Sequence, residues 1–204
     1  MQNFGKIFSV EEFFWQISKA KTIFFSRSET LTPNQAAVLA VGSILGIDKN
    51  TCFKVFSEFK GLEHRFEFVA EINQVKFIND SKATTVESCK MALENLSQPV
   101  ILIAGGRHKG LDYSIVFDVA RKKVKEVILI GEAKENISKV FKGKLALDEA
   151  ASLEEAVYKA YQKAKPGDCV LLSPMCSSFD MFSNYEERGK VFKKAVNDLV
   201  KAKG

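Results

Sequence analysis

Three polar stretches concentrate the groups able to hold a small anion or a sugar: NDSKATT (79–85), GGRHKGLDYS (105–114) and SPMCSSFDMFSNYEERG (173–189). In the second, a tight glycine turn leads into cations, and Lys109 suits a bound carboxylate. In the first, Thr84 and Glu87 have capping-box spacing, so Thr84 reads as a helix N-cap whose own hydroxyl proton can still be donated to a carboxylate. Asp80 is an acceptor suited to sugar hydroxyls, although an aspartate closing a turn is nearly as common. Lys82 reads equally well as a surface lysine. In the third stretch Ser173, Ser177 and Ser178 flank Cys176, and a serine or cysteine nucleophile there needs a nearby general base. No GxSxG is present and the chain has two histidines, His64 and His108, with no metal-ligand spacing, so hydroxyl donors for a carboxylate fit better than hydrolysis, and no metal site is expected.

The elements that must position these stretches follow from periodicity. From Glu63, Phe66, Phe68, Ala70 and Ile72 alternate with charged positions, and Asn73–Gln74 then leads into VKFIND, the pattern of a β-hairpin. A helix with Val86, Cys89, Leu93 and Leu96 on one face precedes the buried-strand run PVILIAG. A helix over 114–124, the strand EVILIG, a short helix near Ile137, a weak strand around LALDEA, a helix capped by Ser152, the strand DCVLLSP and a last helix from about Tyr185 complete the series. Lys193 reads as a solvated residue on that last helix. Continuous apolar strands alternating with helices predict an α/β fold, a Rossmann-like, mostly parallel sheet with helices on both faces that starts with the hairpin. In such sheets ligands bind beyond the carboxyl ends of the strands, and the three polar stretches all fall there.

The first sixty residues differ. Ser9–Glu12 and Thr32–Gln35 have capping-box spacing, Asp48 can cap a third helix, and TIFFS (22–26) is a lone strand candidate. One strand without a sheet partner buries little, so residues 1–62 read as a small, mainly helical remnant of another domain, ahead of the α/β domain over 63–204. With 46% hydrophobic and 27% charged residues the composition is that of a soluble globular protein. The start carries no export signal, and the expected compartment is the cytoplasm. The four cysteines form no CxxC pair and read as reduced thiols. The charge of +5 is scattered on helix faces without stacking aromatics, which argues against nucleic acid, and no apolar run is long enough for a membrane span.

HRFEFV, FINDSKAT, AGGRHKGLDYS and PGDCVLLSPMCSSFDMFSNYEERG occur in an order and spacing that resemble the C-terminal domain of the Mur ligases, on the branch that adds D-glutamate. The likeness covers residues 61 to about 200 and continues faintly through TPNQAAVLAVGSILGI, which resembles the end of the family's central, ATP-binding domain. It implies a ligase that uses ATP and magnesium to activate the carboxylate of UDP-N-acetylmuramoyl-L-alanine for attack by D-glutamate. By the same resemblance Asn34, Arg65 and Asp80 serve ATP, Thr84 and Lys109 bind one carboxylate of D-glutamate, and Ser178 with the backbone near Tyr185 binds the other. Lys82 and Phe179 are additional contacts, and none of these is a catalytic group in the sense of exchanging bonds. The sequence departs from the family in having no GxxxxGK[ST] loop and no magnesium ligands, and its SPMCSS replaces SPACAS. The chain is therefore expected to be inactive alone, completed by a separate chain or segment carrying the N-terminal and central domains; the alternative is a non-catalytic amino-acid- or partner-binding module.

Overall fold

The computed structural model describes residues 31–203, so the predicted cap at Ser9 and the strand at 22–26 lie outside the described residues. The chain divides into two compact units, Met1–Lys60 and Gly61–Gly204. In the first, α1 (Pro33–Ile44) starts from the predicted Thr32–Gln35 capping box, and α2 (Lys49–Glu58) starts from Asp48, whose carboxylate accepts from the N–H groups of Asn50 and Thr51. The two helices touch where Gly42 faces Cys52: a Cβ at Gly42 would lie 3.0 Å from the Cys52 sulfur, so a larger residue there would push the thiol aside.

The second unit holds one six-stranded sheet in the order β1-β2-β6-β3-β4-β5. Its strands are β1 (Glu67–Ile72), β2 (Val75–Asn79), β3 (Val100–Gly105), β4 (Val124–Ile130), β5 (Ala146–Glu149) and β6 (Cys169–Leu172). β1 and β2 form the predicted antiparallel hairpin, turned by Asn73 and Gln74 at φ 50° and 63°, the positive values that a two-residue I′-type turn needs at both central positions. All other pairings are parallel.

Alternation along the strands sends side chains to two separate cores. Leu102, Val127, Leu129 and Leu171 pack beneath α3 (Val86–Glu94), α4 (Phe117–Lys123) and α5 (Lys134–Phe141). Ile101, Ile103, Ile128, Val170 and Leu172 pack beneath α6 (Leu153–Lys163) and α7 (Tyr185–Lys203). Both faces of the sheet are thus covered, which is why its central strands read as unbroken apolar runs.

Two local readings change. The register slips between Phe68 and Ala70, so Val69 and Ala70 pack toward the core while Phe68 is 60% exposed, breaking the simple alternation. The segment after β3 begins with a 3₁₀ turn, Tyr113–Val116, capped by Asp112; its helix stops at Lys123 because Val124 already belongs to β4.

A third correction concerns Lys193. Rather than projecting freely into solvent, its ammonium lies 3.0 Å from Glu63 and 2.5 Å from Glu67, pinning α7 to the start of the hairpin. Beside this tie, buried His64 bonds Asn79 at 2.9 Å and sits on Gly189, where an added Cβ would come within 2.2 Å of the imidazole Nδ1. Replacing a helical glycine by alanine ordinarily gains about 1 kcal/mol. Here overpacking against a ring held from its other side reverses the sign, and Gly189→Ala should lower the unfolding free energy by roughly 1–3 kcal/mol in urea denaturation; a gain in stability would mean that the ring yields freely.

Candidate functional site

Because β2, β6, β3 and β4 are neighbours and parallel, the loops leaving their carboxyl ends share one edge of the sheet. Backbone hydrogen bonds knit these loops together. The N–H of Met175 donates to Ala83 at 3.0 Å, that of Gly105 to Pro174 at 2.9 Å, that of Arg107 to Ser177 at 2.9 Å, and that of Ala133 to Gly106 at 2.8 Å. Gly106, at φ 135°, is confined on both sides: an added Cβ would lie 2.3 Å from the Ser177 carbonyl oxygen.

A buried arginine lies beneath this edge. Arg188, with no exposed surface, donates through Nε to the Ser81 hydroxyl at 3.0 Å and through Nη2 to the Ser81 carbonyl at 2.9 Å. It also donates to the Cys176 carbonyl through both terminal nitrogens, at 3.2 and 3.1 Å. Ser81 passes its own proton to the Tyr185 carbonyl at 2.8 Å, closing a ring around the start of α7. Burial lowers the Arg188 pKa to about 10, against the nearby Cys176 and Asp180, so it stays charged at neutral pH. On the other side of the same loop, the Tyr113 hydroxyl lies 3.2 Å from the Cys176 sulfur and 3.0 Å from Nδ1 of His108. Neither Arg188 nor Tyr113 was singled out from the sequence. The available signal was Arg188 standing in the apolar stripe of α7, three residues after Tyr185 and four before Phe192, where a solvated residue has no place.

A cleft of about 250 Å³ opens beside the hairpin, lined by Arg65, Phe66, Asp80, Lys82, Met91 and Asn95 among others. The structure thus brings Arg65, Asp80 and Lys82 together. Both Asp80 oxygens are engaged, one by the Phe66 N–H at 3.1 Å and one by the Ser173 hydroxyl at 3.0 Å, each keeping a second lone pair for a ligand. Lys82 stands 3.6 Å over the Tyr185 ring, a cation–π contact that ties the β2 loop to α7.

Thr84, Lys109 and Ser178 occupy the loops after β2, β3 and β6, three adjacent strands; Lys109 is exposed, Thr84 half-buried and Ser178 buried. The cap of α3 is Thr85, not Thr84: the Thr85 hydroxyl accepts from the N–H of Ser88, which frees the Thr84 hydroxyl for another partner. Tyr185 opens α7, where Asn184 accepts from the N–H of Glu187, and Phe179 is an exposed aromatic on the β6 loop. Asn34 lies exposed in the first turn of α1, in the other unit. Ser173 is occupied by Asp80, and burial raises the Cys176 pKa, so its thiol stays protonated and is a poor nucleophile. Among the described residues Glu63, His64 and Glu67 group closely enough to hold a cation, but the Lys193 ammonium already pairs with both carboxylates.

The family described as Mur ligase, glutamate ligase domain, matches residues 64–176, more than half of the chain. The chain belongs to the Mur ligase family. Its sequence is 51% identical over 166 residues to UDP-N-acetylmuramoylalanine--D-glutamate ligase of Chloroherpeton thalassium, covering 81% of this chain and 36% of the relative. It is 45% identical over 192 residues to the enzyme of the same name from Chlorobium limicola, covering 94% of this chain and 40% of that protein. The chain therefore spans roughly two fifths or less of the curated relatives it matches. Among solved structures its fold is similar to UDP-N-acetylmuramate-alanine ligase from Thermotoga maritima, with TM-score 0.62, 16% identity, and coverage of 81% of this chain and 37% of that one. It is also similar to FolC from E. coli in complex with ADP, with TM-score 0.60, 18% identity, and coverage of 84% and 40%. In this Mur ligase domain helices precede a mostly parallel sheet that starts with an antiparallel hairpin.

Burial raises the Asp80 pKa from 3.8 to about 6, against the opposing pull of Ser173, the Phe66 N–H and Arg65. The folded state therefore keeps this proton at pH values where the unfolded chain has released it. The contribution of Asp80 to stability is fully present below 3.8, declines as the pH rises to about 6, and is flat above. Asp80→Asn should remove a pH-dependent loss on the order of 1–3 kcal/mol across that window, read as the difference between variant and wild-type unfolding free energies. An identical pH profile for the two would mean that folding leaves the affinity of Asp80 for its proton unchanged.

Proposed function

We propose that this chain is the C-terminal, amino-acid-holding part of an ATP-dependent ligase that joins D-glutamate to UDP-N-acetylmuramoyl-L-alanine in peptidoglycan synthesis. The observation that carries the reading is the convergence of the Thr84, Lys109 and Ser178 loops on one sheet edge, in a chain whose relatives bear that enzyme's name. An ammonium and two hydroxyls on neighbouring loops match a small dicarboxylate, with the first turn of α7 at Tyr185 adding backbone N–H groups for its second carboxylate. Phe179, exposed on the same loop, borders that ligand.

The cleft beside the hairpin fits the nucleotide. Arg65 and Lys82 supply cations for phosphate oxygens, and Asp80 supplies acceptor lone pairs for ribose hydroxyls. Among the described residues Asp80 is the one carboxylate lining the cleft, so magnesium would take its other ligands from outside these residues. Bound ATP supplies activation of a substrate carboxylate by phosphoryl transfer. The residues of this chain hold the D-glutamate carboxylates and leave its amino group free to attack, so their contribution is positioning and charge stabilisation.

In this reading α1 and α2 are the remnant, over residues 1–62, of the ATP-binding domain, where Asn34 meets the nucleotide. The exposure of Val38, Val41, Ile44, Leu45, Phe53, Val55 and Phe59 supports it, since a pair of helices that leaves so much apolar surface in water is part of a larger packed body. A chain or segment carrying the phosphate loop, the magnesium ligands and the UDP-binding domain would complete the enzyme.

Calorimetry with D-glutamate tests the amino-acid site directly. Losing one charge-assisted hydrogen bond costs about 1.5–3 kcal/mol, so Lys109→Ala should weaken binding roughly 10- to 100-fold. Lys194→Ala is the control, because Lys194 is exposed and pairs with Asp198 one turn along α7. Equal affinities for the two variants, or no heat from folded wild-type protein at millimolar D-glutamate, would remove the reading. Addition of the complementary portion, ATP and UDP-N-acetylmuramoyl-L-alanine should then release phosphate above the level of either part alone.

A further inference from the structure

Cys176 is bonded from two directions by residues that the proposed ligand set does not include. Its carbonyl accepts two hydrogen bonds from Arg188, which also holds the carbonyl and hydroxyl of Ser81. Its sulfur contacts the Tyr113 hydroxyl, which in turn contacts His108, the residue before Lys109. Ser81 precedes Thr84 by three residues, and Cys176 precedes Ser178 by two. One chain of contacts therefore runs from the Thr84 loop through Arg188 and Cys176 to the Ser178 loop, and on through Tyr113 to the Lys109 loop.

We propose that Arg188 and Tyr113 are positioning residues that clamp the three loops through Cys176 and set the spacing between the groups holding the two carboxylates of D-glutamate. The inference rests on the amino-acid site proposed above. Its physical basis is that each residue buries a polar group whose hydrogen bonds cross from one loop to another. Arg188 spends its donors on neutral oxygens, two carbonyls and one hydroxyl, rather than on a carboxylate. Burying a guanidinium that way is expensive unless the rigidity or the charge is used. Its position beneath the β6 loop serves both ends, since a fixed positive charge under that loop also favours an anion bound above it. Tyr113 likewise buries a phenol whose hydroxyl is satisfied only by groups on the two loops it joins. A clamp of this kind acts on the distance between subsites. A dicarboxylate that must reach two loops at once feels it fully, whereas a ligand anchored by one carboxylate feels it little.

The test compares D-glutamate with D-glutamine, which has the same shape but lacks the second carboxylate, on the 204-residue chain. Tyr113→Phe removes only the bridging hydroxyl, and Arg188→Lys keeps the charge but loses the fork that grips two carbonyls. The ratio of the two affinities should fall about tenfold in each variant, the equivalent of one lost hydrogen bond. Because Arg188→Lys risks unfolding, Tyr113→Phe is the deciding variant, with circular dichroism reporting its fold. Wild-type protein that prefers D-glutamate, with the same preference in Tyr113→Phe, overturns the clamp and leaves the amino-acid site standing. A parallel loss of affinity for both ligands also overturns it, since that is what general loosening produces. Wild-type protein that binds neither ligand removes the site and the clamp together.

Discussion

A buried guanidinium that meets only neutral oxygens is the contact on which the loop edge depends. Arg188 reaches the fold from the first turn of the last helix and grips carbonyls on loops that follow the first and last parallel strands of the chain. Parallel strands fix where their loops begin, but not how the loops lie relative to one another, because each loop leaves the sheet with its own backbone freedom. Tying two of them to a planar, rigid fork removes that freedom. The glycines at 106 and 131 complete the arrangement: a side chain at either would collide with the neighbouring loop, so the backbones come closer than any other residue would allow.

The sheet beneath supplies the rigidity that makes such a tie useful. Its central strands are buried on both faces, and alternate side chains feed two separate cores, one under α3, α4 and α5 and the other under α6 and α7. α7 is locked at several levels: by Lys193 to the start of the hairpin, by Gly189 against His64, and by Phe192 and Val196 in the second core. Arg188 thus projects from a helix anchored at three points. Asp80 shows how polar chemistry is accommodated at the same edge, since a carboxyl drawn into a buried position keeps its hydrogen bonds while its pKa rises.

The described residues of the two units bury their apolar side chains to very different degrees. Within Gly61–Gly204 both faces of the sheet are sealed, whereas α1 and α2 enclose little more than Ala36, Gly42 and Cys52. Helix caps explain why these helices form at all: the Thr32 and Asp48 side chains satisfy backbone donors that would otherwise be unpaired. Capping determines where a helix starts, and packing determines how much it contributes. Among the described residues of the first unit, Val38, Val41, Ile44, Leu45, Phe53, Val55 and Phe59 remain exposed.

The sequence by itself determined the class of fold, the hairpin with its Asn73–Gln74 turn, the order of strands and helices, and the loops in which polar chemistry collects. These are local properties, because periodicity, caps and turns depend on residues close together in the chain. The motifs in those loops were also specific enough to place the chain among the Mur ligases. Tertiary structure alone decided the slip in β1 that exposes Phe68, the transfer of the α3 cap from Thr84 to Thr85, and the pairing of Lys193 with two glutamates. It alone revealed that Arg188 and Tyr113 meet at Cys176. The reason is physical: a hydrogen bond between residues far apart in sequence forms only after strand order has brought their loops together, and strand order is set by which surfaces pack, not by the spacing of letters along the chain.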